Sequence, residues 1–105
     1  MEKIRRATLG DIKEIHALLK YYAAKGDLLG RPLLSLYERV REFMVYEEDG
    51  RLAGCVALAV SWEDLAEVRS VAVVESFQRR QIGSRLVQAA LADERDLGIK
   101  TVFTL

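Results

Sequence analysis

Residues 71–84 read VAVVESFQRRQIGS, and this stretch decides the fold. Residues 71–74 are apolar and predict the end of a strand, the polar and basic residues after them predict a turn, and a helical pattern occupies residues 83–97. A strand that leads through a turn into a helix brings free N–H groups and the positive end of the helix dipole together, and such a place binds phosphate or pyrophosphate. Because Arg79 and Arg80 add positive charge and Gly83 lets a ligand approach the backbone, we predict a site for a phosphate-bearing ligand here.

Strands and helices alternate on both sides of this stretch. The hydrophobic pattern predicts helices over residues 9–25, 33–40 and 83–97, and strands over residues 3–7, 43–47, 52–60, 65–74 and 99–105. Asp49-Gly50 predicts a hairpin, and residues 61–64 predict a further turn. Because a strand, a helix and a strand at the C-terminal end form a βαβ crossover, those two strands are expected to be parallel and the middle strands antiparallel. The predicted fold class is α/β, a mixed sheet in the order β-α-α-β-β-β-α-β with helices on both faces.

The composition indicates one ordinary globular domain over residues 1–105. Half of the residues are hydrophobic, and 16 Lys and Arg balance 16 Asp and Glu, so no concentrated basic face is expected to bind nucleic acid. No apolar run approaches the roughly 20 residues that span a bilayer, and the N-terminus does not resemble a signal peptide. The single cysteine, Cys55, lies among apolar residues, which predicts a buried thiol in a reducing, cytoplasmic setting.

The order of the elements and the turn together resemble the GNAT family of acetyl-CoA-dependent N-acetyltransferases. The acetyl-CoA motif of that family is Gln/Arg-x-x-Gly-x-Gly/Ala. Gln78 stands at its first position, Gly83 at its last, and Gln81 where the first glycine is usual. Further stretches resemble the short N-acetylglutamate synthase branch; they are residues 54–58, 64–73 and 98–105 and the loop Leu28-Leu29-Gly30-Arg31. The resemblance implies a GNAT acyl-CoA N-acyltransferase fold that lacks the last helix and strands, and therefore a domain that is incomplete at its C-terminus.

The resemblance also implies a coenzyme site on two neighbouring segments. The backbone of Val71, Ala72 and Val73 is expected to pair with the pantetheine arm and to polarise the thioester carbonyl, with plain core packing as the alternative. The turn and the first helical residues are expected to bind the pyrophosphate of acetyl-CoA, with a solvated basic turn as the alternative, and no metal is expected. These residues are Gln78, Arg79, Arg80, Gln81, Ile82, Gly83 and Ser84.

Three residues are expected on the side of the acceptor amine. Acetyl transfer to an amine needs a base, and Glu67 is the candidate, directly or through a water, because related enzymes place a glutamate at this point of the strand. Arg31 resembles a residue that binds the carboxylate of the acceptor. Ser70 is expected to offer its backbone to the amine. The alternatives are an ion pair between Glu67 and Arg69 and an exposed loop arginine at position 31.

The implied function is transfer of an acetyl group to the α-amino group of an amino acid, with L-glutamate in arginine biosynthesis as the first candidate. Acetylation of another amine, and a catalytically silent module that binds acetyl-CoA or partner chains, stay open. The expected partner is a small-molecule amino acid rather than nucleic acid or a membrane. A second copy of the chain is a further expectation, because the last strand leaves an open sheet edge.

Overall fold

A computed structural model describes residues 2–26, 31–78, 80–93 and 98–104, in which one mixed sheet is covered by helices. The strands are β1 (Glu2–Arg6), β2 (Phe43–Glu48), β3 (Arg51–Trp62), β4 (Leu65–Val73) and β5 (Thr101–Thr104). The α-helices are α1 (Ile12–Ala24), α2 (Leu33–Glu38) and α3 (Ile82–Asp93). Short 3-10 turns lie at Leu9–Asp11, Val40–Glu42 and Glu75–Phe77. None of the described helices is long and apolar enough to cross a membrane.

The strands lie in the sheet in the order in which they occur in the chain. The pairs β1–β2, β2–β3 and β3–β4 are antiparallel, and the pair β4–β5 is parallel. Asp49 and Gly50 connect β2 to β3 with φ angles of 53° and 79°, as a tight hairpin of the twist-matched kind requires. The predicted order, strand directions and hairpin are therefore confirmed.

The predicted turn over residues 61–64 is wrong in its first half. Ser61 and Trp62 extend β3, and Trp62 pairs with Leu65, so that only residues 63–64 form the turn. The Trp62 side chain favours a strand, and pairing continues to the last residue before the turn. The polar composition of residues 61–64 therefore predicted a four-residue turn, whereas the hairpin has a turn of two residues.

Some predicted boundaries shift, and others fall outside the described residues. β5 begins at Thr101 rather than at residue 99, and α2 ends at Glu38. The predicted loop at residues 28–30, Arg79 and the predicted helix end over residues 94–97 belong to the parts of the chain that the structure does not describe. The same holds for residue 105.

Helices pack on both faces of the sheet, as predicted. Consecutive residues of β3 point to opposite faces, since Cys55 and Ala57 contact the α1 side and Val56 and Leu58 the α3 side. The buried side chains that the helices contribute are Ile12, Ile15, Leu19 and Tyr22 from α1, Leu36 from α2, and Ile82, Leu86 and Ala90 from α3. This arrangement holds the start of α3 against the end of β4.

A part-buried ion pair between Arg5 and Asp11 fixes the start of α1 on the sheet. The guanidinium of Arg5 donates to both carboxylate oxygens of Asp11, with Nη1–Oδ2 and Nη2–Oδ1 distances of 2.8 and 3.0 Å. Asp11 also accepts the backbone N–H of Thr8 at 2.7 Å, and Arg5 Nε donates to Glu47 on β2 at 2.9 Å. The hydrogen bonds from Arg5 lower the pKa of Asp11 from 3.8 to about 2.

Asp11→Asn is expected to lower the free energy of unfolding by about 2 kcal/mol at neutral pH, the value that the lowered pKa of Asp11 represents. Because the folded-state pKa lies below the unfolded one, this contribution is complete above about pH 4 and disappears as the pH falls towards 2. Urea unfolding at pH 7, 4 and 2.5 measures it. Glu14→Gln, at an exposed carboxylate in the first turn of α1, is the control. A difference between wild type and Asp11→Asn that does not shrink in acid contradicts the assignment.

Candidate active site

A cleft of about 390 Å³ lies between the end of β4 and the start of α3. It joins the two segments that were predicted to hold the coenzyme. Its walls come from the last strand residues, the turn and the first helical residues: Val71, Ala72, Val73, Phe77, Gln78, Gln81, Ile82 and Gly83. Segments that are adjacent in sequence thus form one concave surface.

Among the described residues, β5 pairs with β4 in a register that runs from Leu65↔Thr101 to Val68↔Thr104. Within the described residues no strand pairs with β4 on this side from Arg69 to Val73. Backbone N–H and C=O groups on such an edge can pair with an extended ligand as they would with another strand.

A β-bulge at Ser70 sets which side chains of β4 face the cleft. Pairing with β3 passes from Ala57↔Arg69 to Cys55↔Ala72, so that two residues of β4 oppose one of β3. Ser70 has a φ of 57°, and the Cys55 thiol donates to its carbonyl oxygen at 3.4 Å. The extra residue shifts the alternation and puts the side chain of Val71 on the α3 side of the sheet.

The start of α3 supplies backbone donors that the helix itself does not use. The N–H of Arg85 bonds to the carbonyl of Gln81 at 3.0 Å, so the N–H groups of residues 82–84 have no carbonyl within the helix. Gly83 faces the cleft, and a Cβ at this position would lie 3.7 Å from Val71 Cγ1 and 3.9 Å from Val73 Cγ2. The positive end of the helix dipole acts at the same place.

Gln81 keeps the backbone conformation that a glycine adopts freely. Its φ is 60°, in the left-handed region, and its side chain is exposed. The turn therefore has the shape expected for the motif although one of its glycines is replaced. Because glutamine has a Cβ, its left-handed conformation at position 81 costs about 1 kcal/mol of local strain relative to glycine.

Gln81→Gly is expected to raise the free energy of unfolding by up to about 1 kcal/mol, because glycine relieves the left-handed strain. Gln88→Gly is the matched control: it makes the same change at an exposed position in the middle of α3 and is expected to lower stability by about 1 kcal/mol. Urea denaturation of the three proteins measures both effects. An equal loss in the two variants argues against strain at Gln81.

Arg80 lies against an acidic side chain of β2. Its Nη2 is 2.6 Å from Glu48 Oε1, and its guanidinium stacks on the ring of Phe77 at 5.2 Å from the centroid. The hydrogen bonds to Glu48 raise the pKa of Arg80. A phosphate ligand must therefore compete with Glu48 for this cation. Coenzyme binding by Arg80, and by Arg79 outside the described residues, stays a prediction.

On the side predicted for the acceptor, Glu67 and Arg69 form an ion pair, with Oε1 2.6 Å from Nη2. Glu67 is buried, with 9% of its surface exposed, whereas 38% of the Arg69 side chain is exposed, so only the carboxylate is shielded from solvent. The pairing alternative for Glu67 is thus present in the structure. A paired carboxylate still has lone pairs through which it can accept a proton, and its role as the base stays a prediction.

Arg31 and Ser70, which were predicted separately, lie next to each other. Arg31 Nη1 donates to Ser70 Oγ at 3.2 Å, and its guanidinium stacks on the ring of Phe43 at 5.2 Å. Burial lowers the pKa of Arg31, which is half-buried rather than freely solvated. A half-buried guanidinium beside the bulge of β4 is suited to bind a carboxylate close to the cleft.

Cys55 and Tyr22 complete the surroundings of the bulge and the cleft. Cys55 is fully buried and burial raises the pKa of its thiol to about 12, which confirms the prediction of a buried thiol. Tyr22 was predicted only as part of the apolar stripe of α1. Its hydroxyl donates to the carbonyl of Val73 at 2.5 Å and accepts from Gln78 Nε2 at 2.7 Å. A tyrosine within an apolar stripe was the available signal, because a buried hydroxyl needs a polar partner.

Comparison with known proteins identifies the family. The sequence model of the protein family described as the acetyltransferase (GNAT) family matches residues 11–105. The chain belongs to the GNAT family. The curved mixed sheet, the order of the elements and the strand-turn-helix site are thus those of a GNAT domain, and the predicted fold class is confirmed.

The chain is similar to amino-acid acetyltransferases and to solved structures of such GNAT proteins. The amino-acid acetyltransferase of Mycobacterium tuberculosis is 42% identical over an alignment of length 105, which covers 97% of this chain and 60% of that protein. The crystal structure of Rv2747 from Mycobacterium tuberculosis in complex with CoA and NLQ superposes with a TM-score of 0.91 at 42% identity, over 98% of this chain and 63% of that one. N-acetylglutamate synthase from Neisseria gonorrhoeae, complexed with coenzyme A and N-acetyl-glutamate, gives 0.93 at 35% identity, over 100% of this chain and 25% of that one. The chain thus spans about two thirds or less of the length of the curated relatives that it matches.

Proposed function

We propose that this chain transfers an acetyl group from acetyl-CoA to the α-amino group of an amino acid, and that L-glutamate is the acceptor. The observation that carries the proposal is the cleft between the end of β4 and the N-terminus of α3. Relatives named amino-acid acetyltransferases at 37% and 42% identity support the reaction class. A cytoplasmic location and a place in arginine biosynthesis are parts of the same proposal.

The residues that line the cleft fit the coenzyme in their chemistry. The N–H groups of residues 82–84, which find no carbonyl within the helix, suit the pyrophosphate, and Gly83 keeps the space above Val71 and Val73 clear of side-chain atoms. The backbone of β4 from Val71 to Val73, which lines the cleft, suits the amide groups of the pantetheine arm. Acetyl-CoA supplies a thioester, whose carbonyl carbon is the electrophile for an amine.

The remaining steps fall to residues on the α1 side of β4. Glu67 takes the proton from the acceptor ammonium, directly or through a water, so that the amine becomes a nucleophile. Arg31 binds the α-carboxylate and the backbone at Ser70 accepts the amine, which orients the acceptor beside the thioester. A backbone N–H near Val71 polarises the thioester carbonyl. The hydrogen bond of 3.2 Å from Arg31 Nη1 to Ser70 Oγ supports the proposal that both residues contact the same acceptor.

Calorimetry with acetyl-CoA, followed by assays of thiol release across a panel of amino acids, tests the proposal. We expect saturable binding of acetyl-CoA, protection of the chain from heat, and thiol release that depends on L-glutamate. Thiol release that depends on a different amine would change the proposed acceptor but leave the proposed class of enzyme unchanged. Binding without turnover supports a silent coenzyme-binding module, and the absence of binding contradicts the proposal.

A further inference from the structure

The hydroxyl of Tyr22 joins three elements at one end of the cleft. It donates to the carbonyl oxygen of Val73, the last residue of β4, at 2.5 Å. It accepts a hydrogen bond from Nε2 of Gln78, the residue after the 3-10 turn, at 2.7 Å. Tyr22 itself belongs to the last two turns of α1. One side chain of α1 therefore fixes both ends of the segment that leads from β4 towards α3.

The side-chain amide of Gln78 is held by the same group of atoms. Its Nε2 lies 2.7 Å from the Tyr22 hydroxyl and 3.2 Å from the Val73 carbonyl oxygen. Because these two oxygens are only 2.5 Å apart, both lie in the direction of one N–H group of the amide. The Tyr22 hydroxyl and the Val73 carbonyl together therefore fix the orientation of the Gln78 side chain.

Tyr22 is buried, so loss of its hydrogen bonds is expected to disturb the turn. The residue is 7% exposed, and burial raises the pKa of its hydroxyl, which keeps it protonated as a donor. The hydrogen bond to the Val73 carbonyl is part-buried, and loss of a part-buried partner costs more than loss of an exposed one, because water replaces the bond less well. The cleft is lined by Val73 and Gln78 themselves, so a change in their placement changes its shape.

We propose that Tyr22 is a positioning residue for the coenzyme-binding turn, and that it acts together with Gln78, whose side chain it orients. The inference deepens the proposed function and rests on it for the identity of the ligand. The geometry of the turn itself does not depend on that function.

Tyr22→Phe tests the inference, because it removes the hydroxyl and keeps the ring in the core. We expect the dissociation constant and the KM for acetyl-CoA to rise about 5- to 10-fold, the equivalent of one buried hydrogen bond, while kcat stays within about 2-fold. Tyr21→Phe is the matched control: it removes a hydroxyl one residue earlier, where an exposed tyrosine contacts Glu75 at 2.7 Å. It is expected to change the affinity by less than about 2-fold. Equal affinities of Tyr22→Phe and wild type overturn the inference.

A double-mutant cycle with Gln78→Ala separates positioning from general loss of stability. If Tyr22 acts through Gln78, the double variant binds acetyl-CoA no more weakly than the weaker single variant. Effects that add overturn the inference. Gln78 is exposed, so this variant is expected to fold.

Hydrogen exchange in the free protein distinguishes failure of the inference from failure of the proposed function. We expect the amides of residues 74–85 to exchange several-fold faster in Tyr22→Phe than in wild type or in Tyr21→Phe. If wild type does not bind acetyl-CoA, the proposed function fails, and faster exchange in Tyr22→Phe alone still supports positioning of the turn. Unchanged exchange in Tyr22→Phe overturns the inference whatever the ligand is.

Discussion

Glu67→Gln is expected to lower kcat by about 100-fold or more and to leave the affinity for acetyl-CoA within about 2-fold. Glutamine has nearly the shape of glutamate but cannot take a proton from the acceptor ammonium. The residue is buried on β4 and lies outside the residues that line the cleft in which acetyl-CoA is expected to bind. Steady-state kinetics with saturating acceptor and calorimetry with acetyl-CoA measure the two quantities.

Loss of the ion pair to Arg69 must be separated from loss of the base. Thermal unfolding of the same variant reports how much stability the 2.6 Å contact provides. Glu63→Gln, in the turn between β3 and β4, makes the same chemical change at an exposed carboxylate and is expected to leave turnover unchanged. Full turnover in Glu67→Gln removes this residue from the mechanism.

Gly83→Phe is expected to weaken binding of acetyl-CoA by about 30- to 100-fold while the free protein stays folded. The new ring must extend from a position only 3.7 Å above Val71 into the cleft, where the ligand is expected to lie. The backbone at Gly83 does not have a positive φ, so a side chain is compatible with the helix itself. Calorimetry and thermal unfolding measure affinity and stability on the same samples.

Gly83→Ala completes a series in side-chain size. Its Cβ makes ordinary van der Waals contacts at 3.7 and 3.9 Å, and alanine favours a helix over glycine by up to about 1 kcal/mol. We therefore expect equal or higher stability and a smaller loss of affinity than for phenylalanine. If stability and affinity fall together along the series, the turn is a folding element rather than a binding site.

Local patterns and the family resemblance were sufficient for the fold and for the meeting of the two segments that line the cleft. The strand, turn and helix of residues 71–83 are contiguous, so their meeting follows from connectivity alone. The hairpin at Asp49-Gly50 follows from residues that tolerate positive φ. Resemblance added Arg31 and Ser70, which no local pattern singles out, and the structure brings them within 3.2 Å of each other.

The parts that could not be predicted depend on pairing between distant segments. The bulge at Ser70 lacks the glycine that often marks one, and it exists because of the register between β3 and β4. The pairing of Arg80 with Glu48 joins β2 to the turn before α3, and the contact of Tyr22 with Gln78 joins α1 to the same turn. A periodic pattern shows that Tyr22 is buried but not which acceptor its hydroxyl meets.

The thiol beneath the bulge of β4 offers a direct chemical readout of opening at this place. Cys55 is the single cysteine of the chain and is fully buried, and only a thiolate attacks alkylating reagents. A maleimide can therefore label Cys55 only after β3 separates from β4, so the rate of modification reports how often these two strands separate. A ligand seated along the neighbouring strand should slow that labelling in proportion to its occupancy, without any dye or tag added to the protein.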